Sequence, residues 1–522
     1  MQTTASRRDF LQATGVATVA LLTRGLQGQA AEGAGKSPFT YASAGETVAA
    51  LATRQVSSAE LVNQAVARIE ALDSRINAVV VRDFERAREA ARQADAAIGR
   101  GEKRPLLGLP ITVKEAFNVA GLPTTWGLPS AKGWQPAEDA VVVARLKAAG
   151  AIILGKTNVP FMLADFQSYN EIYGTTNNPW DLGRTPGGSS GGSAAALAVG
   201  YVPLEMGSDF GGSLRAPAHY CGVFAHKPTH ALVPQRGHTP PRVRPLPGWT
   251  DLAVVGPMAR TAGDLALGLD VVAGPDEPDA VGYRLALPPP RHSELKDYRV
   301  VLVDGHPLIP TGALVRTAID RLGDRLAKAG CKVERGNSSM PDLARSAQLY
   351  ALLMNAMGGG SMDAQAYERA RAGAASIPAD STDLAGLRLR GTVLSHREWL
   401  RAHGARREVQ QQWRELFRRV DVVVCPVHPV PAWPHDHTPR ESRVIEIDGE
   451  KRPWMDTLRV WGSVATVPGL PATAAPIGLS DTGLPIGVQI VGPQLEDRTT
   501  IEFARLMERE FGGFVAPPGF SG

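Results

Sequence analysis

One lysine and three serines have the residue types and spacing that nucleophilic catalysis requires. Lys114 directly follows the apolar run Leu109–Val113. Ser189 and Ser190 lie in the segment TPGGSSGGSAAA, and Ser213 lies in GSDFGGSLRAP. A serine nucleophile that is supported by a buried lysine needs neither a histidine nor a metal. The spacing therefore raises the question of whether these side chains meet in the fold.

Ser213 is the candidate nucleophile. The glycines before it allow a tight turn that directs successive backbone N–H groups inward, where an oxyanion develops. The predicted oxyanion-hole donors are the backbone groups of Phe210, Gly211, Gly212 and Ser213. Asp209 and Arg215 flank this turn and are expected to form a stabilising pair around it. A tight loop with an incidental serine fits the same tripeptide, because glycine turns are common.

Lys114 is the candidate base, and it must be neutral to accept a proton. With an unperturbed pKa of about 10.4, roughly one lysine in 2,500 is neutral at pH 7. Burial among apolar groups lowers the pKa by destabilising the cation. The neighbours of Lys114 in sequence are apolar, and strand alternation points Glu115 to the other face. The competing interpretation is a lysine at a strand end with its ammonium group in water.

Ser189 is predicted to bridge the lysine and the nucleophile, because a hydroxyl both donates and accepts hydrogen bonds. Ser190 is expected to add a further hydrogen bond. The same glycines and serines also satisfy the G-x-S-x-G pattern of a nucleophile elbow, which expects a preceding strand. The preceding NNPWD is turn-like, so the elbow is disfavoured. The downstream histidines that an elbow would use are His428, His435 and His437.

Composition narrows the class of protein. The 522 residues are 43% hydrophobic and 21% charged, with a formal net charge of +4. These values are ordinary for a globular protein, and with no long basic run nucleic acid is not an expected partner. Three cysteines give no disulfide framework, so we expect buried thiols at Cys221, Cys331 and Cys425. The His-x-His pair of the 426–439 loop lacks a carboxylate motif, so we expect no metal.

Residues 1–30 are predicted to be a twin-arginine export signal. Arg7 and Arg8 precede a short apolar stretch, Ala13–Leu22, and small residues follow near Ala30. The apolar stretch is too short to span a bilayer, so stable membrane insertion is not expected. The sequence thus predicts a bacterial periplasmic or secreted protein that uses the twin-arginine export machinery.

The remaining chain, residues 31–522, is predicted to be one α/β domain with a variable cap at about 336–395. Strand–helix–strand patterns recur at 109–154 and 300–334, which favours a largely parallel sheet covered by helices. A long charged helix is predicted at 398–419 and a terminal helix at 498–511. No linker divides this body.

The chain resembles the amidase signature family. The segments that carry the resemblance are GLPITVKEAF, GKTNVPF, TPGGSSGGSAAA, GSDFGGSLRAPAHYCGVFAHKPT and GLPIGVQIVGP. The resemblance implies a mixed central β-sheet between helices. It makes Lys114 the base, Ser189 the bridging serine on a cis peptide after Gly188, and Ser213 the nucleophile. It further implies hydrolysis of a carboxylic amide to an acid and an amine or ammonia, without a cofactor.

Two other functions are compatible with the sequence. One is an amidase-like subunit of a tRNA-dependent amidotransferase, and the other is a non-catalytic amide-binding protein of this fold. The expected partner is a small-molecule amide, and a homodimer is compatible with the sequence. We expect the acyl pocket to involve residues 126–134, 161–173 and 336–395, whose apolar and aromatic content favours an apolar or aryl acyl group.

Overall fold

A mixed β-sheet of eleven strands organises the part of the chain that the structure describes. The structure is a computed structural model, and it describes residues 37–336, 340–360 and 362–521. The predicted export signal lies outside these residues. The elements below belong to the unit Phe39–Ser521. This unit contains the eleven-stranded sheet.

The strands alternate with the helices along most of the chain. The strands of the large sheet are β1 (Val79–Arg82), β2 (Pro110–Lys114), β3 (Ile152–Thr157), β6 (Leu204–Asp209), β7 (Phe224–Lys227), β8 (Val254–Ala259), β9 (Arg299–Leu302), β10 (Lys332–Arg335), β11 (Val422–Pro426), β14 (Ala472–Leu479) and β15 (Pro485–Val491). Across the large sheet these strands lie in the order β1-β3-β2-β6-β8-β7-β14-β15-β11-β9-β10. Two small hairpins are formed by β4 (Tyr169–Asn170) with β5 (Gly174–Thr175), and by β12 (Val444–Ile447) with β13 (Glu450–Pro453).

The helices of the described residues cover the sheet and form the cap. They are α1 (Ala44–Ala52), α2 (Ser58–Ile76), α3 (Phe84–Gly99), α4 (Val141–Ala148), α5 (Gly191–Ala198), α6 (Arg215–Cys221), α7 (Ala262–Val272), α8 (Glu277–Ala280), α9 (Ala313–Lys328), α10 (Leu343–Gly359), α11 (Ala364–Ala374), α12 (Leu384–Thr392), α13 (His396–Leu416), α14 (Trp454–Leu458), α15 (Val460–Thr466) and α16 (Asp497–Phe511). Short 3-10 turns occur at Pro129–Ala131, Phe161–Leu163 and Leu295–Asp297.

The prediction of a largely parallel sheet is wrong, whereas the mixed sheet implied by the resemblance is confirmed. Parallel pairing occurs between β2 and β3, β2 and β6, β9 and β10, and β9 and β11. The central strands β8, β7, β14 and β15 pair antiparallel with their neighbours. The strand–helix–strand pattern reports only on elements that are neighbours in sequence. It therefore does not reveal strands that enter the middle of the sheet from distant parts of the chain.

The segment predicted to be a variable cap, at about 336–395, is mainly helical. The helices α10, α11 and α12 occupy most of its described part. The side chains of Asp342, Asp363 and Asp383 each accept a backbone N–H at the start of one of these helices. Such caps satisfy otherwise free donors of the first turn and explain where the three helices begin.

Alternation along β2 aims its last residue at the helices α5 and α6. Ile111 and Val113 belong to one hydrophobic cluster, on one face of the sheet. Lys114 therefore points to the opposite face, where the alanines Ala194–Ala196 of α5 and Ala216 of α6 pack in a second cluster. Small side chains at these positions allow the helices to approach the sheet closely. Because β2 and β6 are parallel neighbours, their carboxyl ends lie at the same edge.

Candidate active site

Lys114 is completely buried, and its amine meets only hydroxyl groups among the described side chains within hydrogen-bond distance. The Nζ atom lies 2.6 Å from Ser189 Oγ, 3.0 Å from Ser190 Oγ and 2.9 Å from Ser208 Oγ. The structure thus brings together the lysine and the two serines that lie 75 and 76 positions later in sequence. Ser208 was not predicted, although it lies in the same GSDFGGS segment as Ser213 and at the end of the neighbouring strand β6.

The environment of Lys114 favours its neutral form. Burial lowers the pKa of Lys114 from 10.5 to about 7, and the negative charges of Asp209 and Glu205 only partly oppose this shift. Within the described residues no carboxylate lies within ion-pair distance of its amine. The competing interpretation requires an ammonium group in water, and the complete burial of Lys114 is at odds with it.

Ser189 lies in a tightly packed segment before α5. The peptide bond between Gly188 and Ser189 is cis, as the family resemblance implies. A side-chain carbon at Gly188 would collide with the backbone oxygen of Asp165, so only glycine fits here. The backbone N–H of Ser190 donates to the carbonyl oxygen of Ser213 at 3.2 Å. This bond joins the segment that carries Ser189 to the turn that carries Ser213.

The turn that carries Ser213 is organised around the Asp209 carboxylate. Its Oδ1 accepts the backbone N–H groups of Gly211 (3.0 Å) and Gly212 (2.7 Å), and its Oδ2 accepts the N–H of Leu214 (3.1 Å). This corrects the prediction of four oxyanion donors, because two of the four N–H groups are directed at the carboxylate. The structure records no acceptor in its described part for the N–H groups of Phe210 and Ser213. Phe210 and Ser213 are therefore the two predicted donors that the Asp209 carboxylate does not engage.

The predicted pair of Asp209 and Arg215 is present and fully buried. Arg215 Nε lies 3.0 Å from Oδ2 and Nη2 lies 2.9 Å from Oδ1. Burial alone would raise the pKa of Asp209, but the charge and hydrogen bonds of Arg215 outweigh it and hold the pKa well below its ordinary value. Arg215 also donates to Gln489 Oε1 at 2.6 Å and to Thr466 Oγ1 at 3.0 Å. The turn is therefore anchored to β15 and α15.

Two further contacts near the turn join distant parts of the chain. The Tyr350 hydroxyl of α10 donates to the carbonyl oxygen of Phe210 at 2.9 Å. A side-chain carbon at Gly211 would collide with this hydroxyl, so the glycine allows the approach. His428 is completely buried, and the Tyr220 hydroxyl contacts its Nδ1. Nothing in the local sequence pattern indicates these contacts, because the partners lie more than 100 positions apart.

The packing does not support the alternative arrangements that the sequence allows. A nucleophile elbow requires a strand directly before its serine, but the segment 176–190 that leads to Ser189 contains no strand. His437 stacks on Tyr169, with 3.9 Å between ring centroids. Among the described residues no three His, Cys, Asp or Glu side chains are grouped as a metal site. The three cysteines are free and buried, as predicted, and burial raises the pKa of each thiol.

No helix of the described residues combines the length and the apolar composition that a bilayer crossing requires.

Comparison with known proteins agrees with this geometry. A family model described as Amidase matches residues 60–501. A glutamyl-tRNA(Gln) amidotransferase subunit of Anaeromyxobacter sp. (strain K) is 34% identical over 512 residues, covering 91% of this chain and 97% of that protein. Fatty-acid amide hydrolase 2-A of Danio rerio is 32% identical over 508 residues, covering 92% and 91%. The crystal structure of a bacterial aryl acylamidase superposes with a TM-score of 0.75 at 25% identity, covering 91% and 97%.

The chain belongs to the amidase family, the amidase signature enzymes. It is an amidase, and the Ser-Ser-Lys mechanism is general for that family. The family resemblance is confirmed, and so is the fold that it implies, a mixed central β-sheet covered by helices.

Proposed function

We propose that this amidase hydrolyses a carboxylic amide through an acyl-enzyme on Ser213, with Lys114 as base and Ser189 as proton relay. The observation that carries the proposal is the buried Lys114 amine, surrounded by three hydroxyls and lowered in pKa to about 7. At pH 7 about half of such an amine is neutral, compared with roughly one in 2,500 for an ordinary lysine.

The hydrogen-bond count at Lys114 fits a neutral amine. A neutral amine accepts one hydrogen bond and donates two, whereas an ammonium group only donates. With three hydroxyl partners, the neutral form accepts the proton of Ser189, its nearest partner, and donates to Ser190 and Ser208. This arrangement leaves Ser189 Oγ free to accept a proton from the nucleophile.

The reaction then proceeds in two halves. Ser189 gives its proton to Lys114 and takes the proton of Ser213, whose Oγ bonds to the amide carbonyl carbon. The C–N bond breaks, and the relay returns the proton to the leaving amine or ammonia. In the second half water gives a proton to the same relay and attacks the ester of Ser213. The acid leaves, Ser213 regains its proton, and no external oxidant or reductant is needed.

The developing oxyanion is stabilised by backbone donors of the nucleophile turn. Phe210 and Ser213 supply the two N–H groups that are not directed at Asp209. Each such donor contributes on the order of 3 kcal/mol to transition-state stabilisation. The carboxylate of Asp209 and the Arg215 guanidinium maintain the shape of the turn, and they act through it rather than on the substrate.

Labelling with a fluorophosphonate probe tests this proposal without knowledge of the substrate. Wild-type protein should label at Ser213 and release ammonia or amine from an accepted amide. The Ser213→Ala variant should do neither while keeping the wild-type circular dichroism spectrum. Labelling that persists in Ser213→Ala would overturn the assignment, because another residue would then be the nucleophile. A wild-type protein that does not label would favour a non-catalytic amide-binding protein.

A second candidate function is that of an amidase component within an amidotransferase. The relative from Anaeromyxobacter, whose name is that of an amidotransferase component, favours it. The pattern of residues 1–30 opposes it, because a tRNA-dependent partner is cytosolic and the predicted signal directs export. Release of ammonia by the purified chain, without tRNA or any added protein, separates the two. Activity only after a partner is added would support the amidotransferase.

We also propose export through the twin-arginine machinery, which the order of Arg7, Arg8 and the apolar stretch supports. Expression in a bacterium followed by fractionation should place the mature protein in the periplasm. The Arg7→Lys, Arg8→Lys double variant should keep it in the cytoplasm. Equal distribution of both proteins would contradict the proposal.

A further inference from the structure

A small pocket lies between the cap helices α10 and α12 and the segment 455–460. Its cavity volume is about 20 Å³, and it is lined by residues of α10 and α12, by Met455 and Asp456 of α14, and by Arg459 and Val460. Its walls combine apolar side chains, such as Met354 and Leu384, with charged ones. Part of the predicted cap, 336–395, thus contributes to this pocket.

The side chain of Tyr350 connects the pocket to the turn that carries Ser213. Tyr350 lines the pocket and donates to the carbonyl oxygen of Phe210 at 2.9 Å. On the other flank, a side-chain carbon at Gly462 of α15 would collide with the Gly211 carbonyl oxygen. Arg459 lies three residues before Gly462, at the junction of α14 and α15. Tyr350 and the first turn of α15 therefore connect the pocket that contains Arg459 to the turn that carries Ser213.

The pocket has an excess of positive charge. Its two lining arginines differ in their partners, since Arg388 forms an ion pair with Asp456. In the described part of the chain, the guanidinium of Arg459 forms neither an ion pair nor a hydrogen bond. Two cations therefore face one carboxylate within the lining.

Charges around the pocket do not provide Arg459 with a dedicated counter-ion. Asp165 is engaged by Arg443, with Nη1 2.6 Å from its Oδ2. Burial lowers the pKa of Arg459; Tyr350 and Asp165 oppose the shift, and the positive charge of Arg440 adds to it. A partly buried cation without a hydrogen-bonded anion is costly. An anionic ligand group would remove that cost.

We propose that Arg459 binds a carboxylate on the acyl part of the substrate, so that the enzyme prefers amides of anionic, ω-carboxylated acids. The inference rests on the proposed function and names its substrate class. We place this carboxylate on the acyl part of the substrate because the leaving amine takes its proton from Ser189 and therefore lies beside that residue. The pocket is lined by none of the relay residues, and its lining residue Tyr350 contacts the turn at Phe210.

This assignment replaces the expectation of an apolar or aryl acyl group. That expectation rests on the abundance of aromatic and aliphatic residues in the segments predicted to form the pocket. In the structure the apolar side chains Met354 and Leu384 form walls, and Arg459 supplies the unpaired polar group of the described lining. A few polar groups in a mainly apolar pocket are what fixes ligand orientation and specificity.

Matched acyl p-nitroanilides test the inference. Succinyl, glutaryl and adipoyl p-nitroanilides are each compared with the butyryl, pentanoyl or hexanoyl analogue, in which a methyl group replaces the carboxylate. At least one anionic compound should have a kcat/KM about tenfold or more above that of its neutral partner. Added salt should reduce this preference. Equal rates within every pair, or rates at background for all six compounds, would overturn the inference.

Variants of Arg459 show whether the preference comes from this residue. Arg459→Gln should lower kcat/KM for the preferred anionic compound about 10- to 100-fold and change the rate of its neutral partner less than about threefold. Arg459→Lys keeps the charge but not the planar fork of donors, so it should fall between these values. Equal losses for both members of a pair would indicate a structural role and contradict binding of a carboxylate.

A control and a parallel readout keep the result interpretable. Arg371 lies on α11 of the same cap and is exposed, with an ion pair to Glu368. Arg371→Gln should leave both rates unchanged. Fluorophosphonate labelling of Ser213 is measured on every variant. If Ser213 labels but no anionic preference exists, only the inference about Arg459 fails. If wild-type Ser213 does not label, the proposed function fails as well.

Discussion

Two lysines on neighbouring strands are equally buried but have different partners. Lys114 ends β2, and Lys156 lies on β3, where it is paired with Val113 in the parallel register. Both side chains are 0% exposed, and burial lowers the pKa of Lys114 to about 7 and that of Lys156 to about 8. The Lys114 amine meets three hydroxyls, whereas the Lys156 amine donates to the carbonyl oxygen of Pro123 and to Thr124 Oγ1.

The chemical difference lies in what the partners can do. A carbonyl oxygen only accepts, so it requires an N–H from Lys156, and the charge of Glu115 further favours the cation. A hydroxyl both donates and accepts, so the shell of Lys114 is satisfied when the amine is neutral. Burial alone therefore does not make a lysine a base. Lys114 is suited to proton transfer, whereas Lys156 stabilises the structure.

The largest expected effect comes from removing the Lys114 amine. Lys114→Met should lower kcat about 1,000- to 10,000-fold, because the nucleophile loses its base. Steady-state kinetics on an accepted amide measures the loss, and circular dichroism checks the fold. A variant that is folded and retains more than a tenth of the activity would remove the distinction between the two lysines.

Removing the relay should have the next largest effect. Ser189→Ala should lower kcat about 100- to 1,000-fold, because no hydroxyl then connects the base to the nucleophile. Ser208→Ala is the matched control, since it also removes a hydroxyl from the Lys114 amine. It should cost about tenfold or less, the effect of one ordinary hydrogen bond. Similar losses in the two variants would mean that Ser189 has no special role.

Lys156→Met should affect stability rather than chemistry. The variant leaves the Pro123 carbonyl without its donor and the buried Glu115 without its nearby cation. The free energy of unfolding should fall by about 3 kcal/mol, measured by thermal or urea denaturation. The kcat of the folded fraction should change less than about tenfold. A loss of kcat comparable to that of Lys114→Met would show that the two lysines share a catalytic role.

Glu205→Gln should have the smallest effect, a shift in pH dependence. The charge of Glu205 raises the pKa of Lys114, so its removal lowers that pKa and moves the rising limb of kcat/KM to lower pH. Burial raises the pKa of Glu205 itself to about 7, so it is only partly ionised there and the shift should stay below one unit. A shift to higher pH would contradict the assigned electrostatics.

Much of the site was predictable because its residues lie in short, glycine-rich segments. Residue type and local pattern are enough to select Lys114, Ser189 and Ser190. They also select Asp209 and Arg215, the pair that flanks the turn. The sequence did not reveal that Asp209 accepts the N–H groups of Gly211 and Gly212. The glycine-rich pattern around Ser213 fits a turn whose N–H groups are free to bind an oxyanion. It fits equally a turn whose N–H groups bind the Asp209 carboxylate, and only side-chain geometry distinguishes the two.

The fold was predictable in its elements more than in its pairing. Local periodicity located β2, β3 and the terminal helix α16 to within a few residues. It did not locate β8 or β14, which enter the middle of the sheet from distant parts of the chain. Contacts across more than 100 positions escaped prediction for the same reason. The hydrogen bonds from Tyr350 to Phe210 and from Arg215 to Gln489 depend on how the chain folds back on itself.

The pH dependence of fluorophosphonate labelling at Ser213 tests the central claim most directly. With Lys114 as a base of pKa about 7, the labelling rate should rise about tenfold per pH unit from pH 5 and level off above pH 7. This limb should disappear in Lys114→Met and persist in Lys156→Met. A flat profile in the wild type, or a limb that survives in Lys114→Met, would contradict the role of Lys114 as the base.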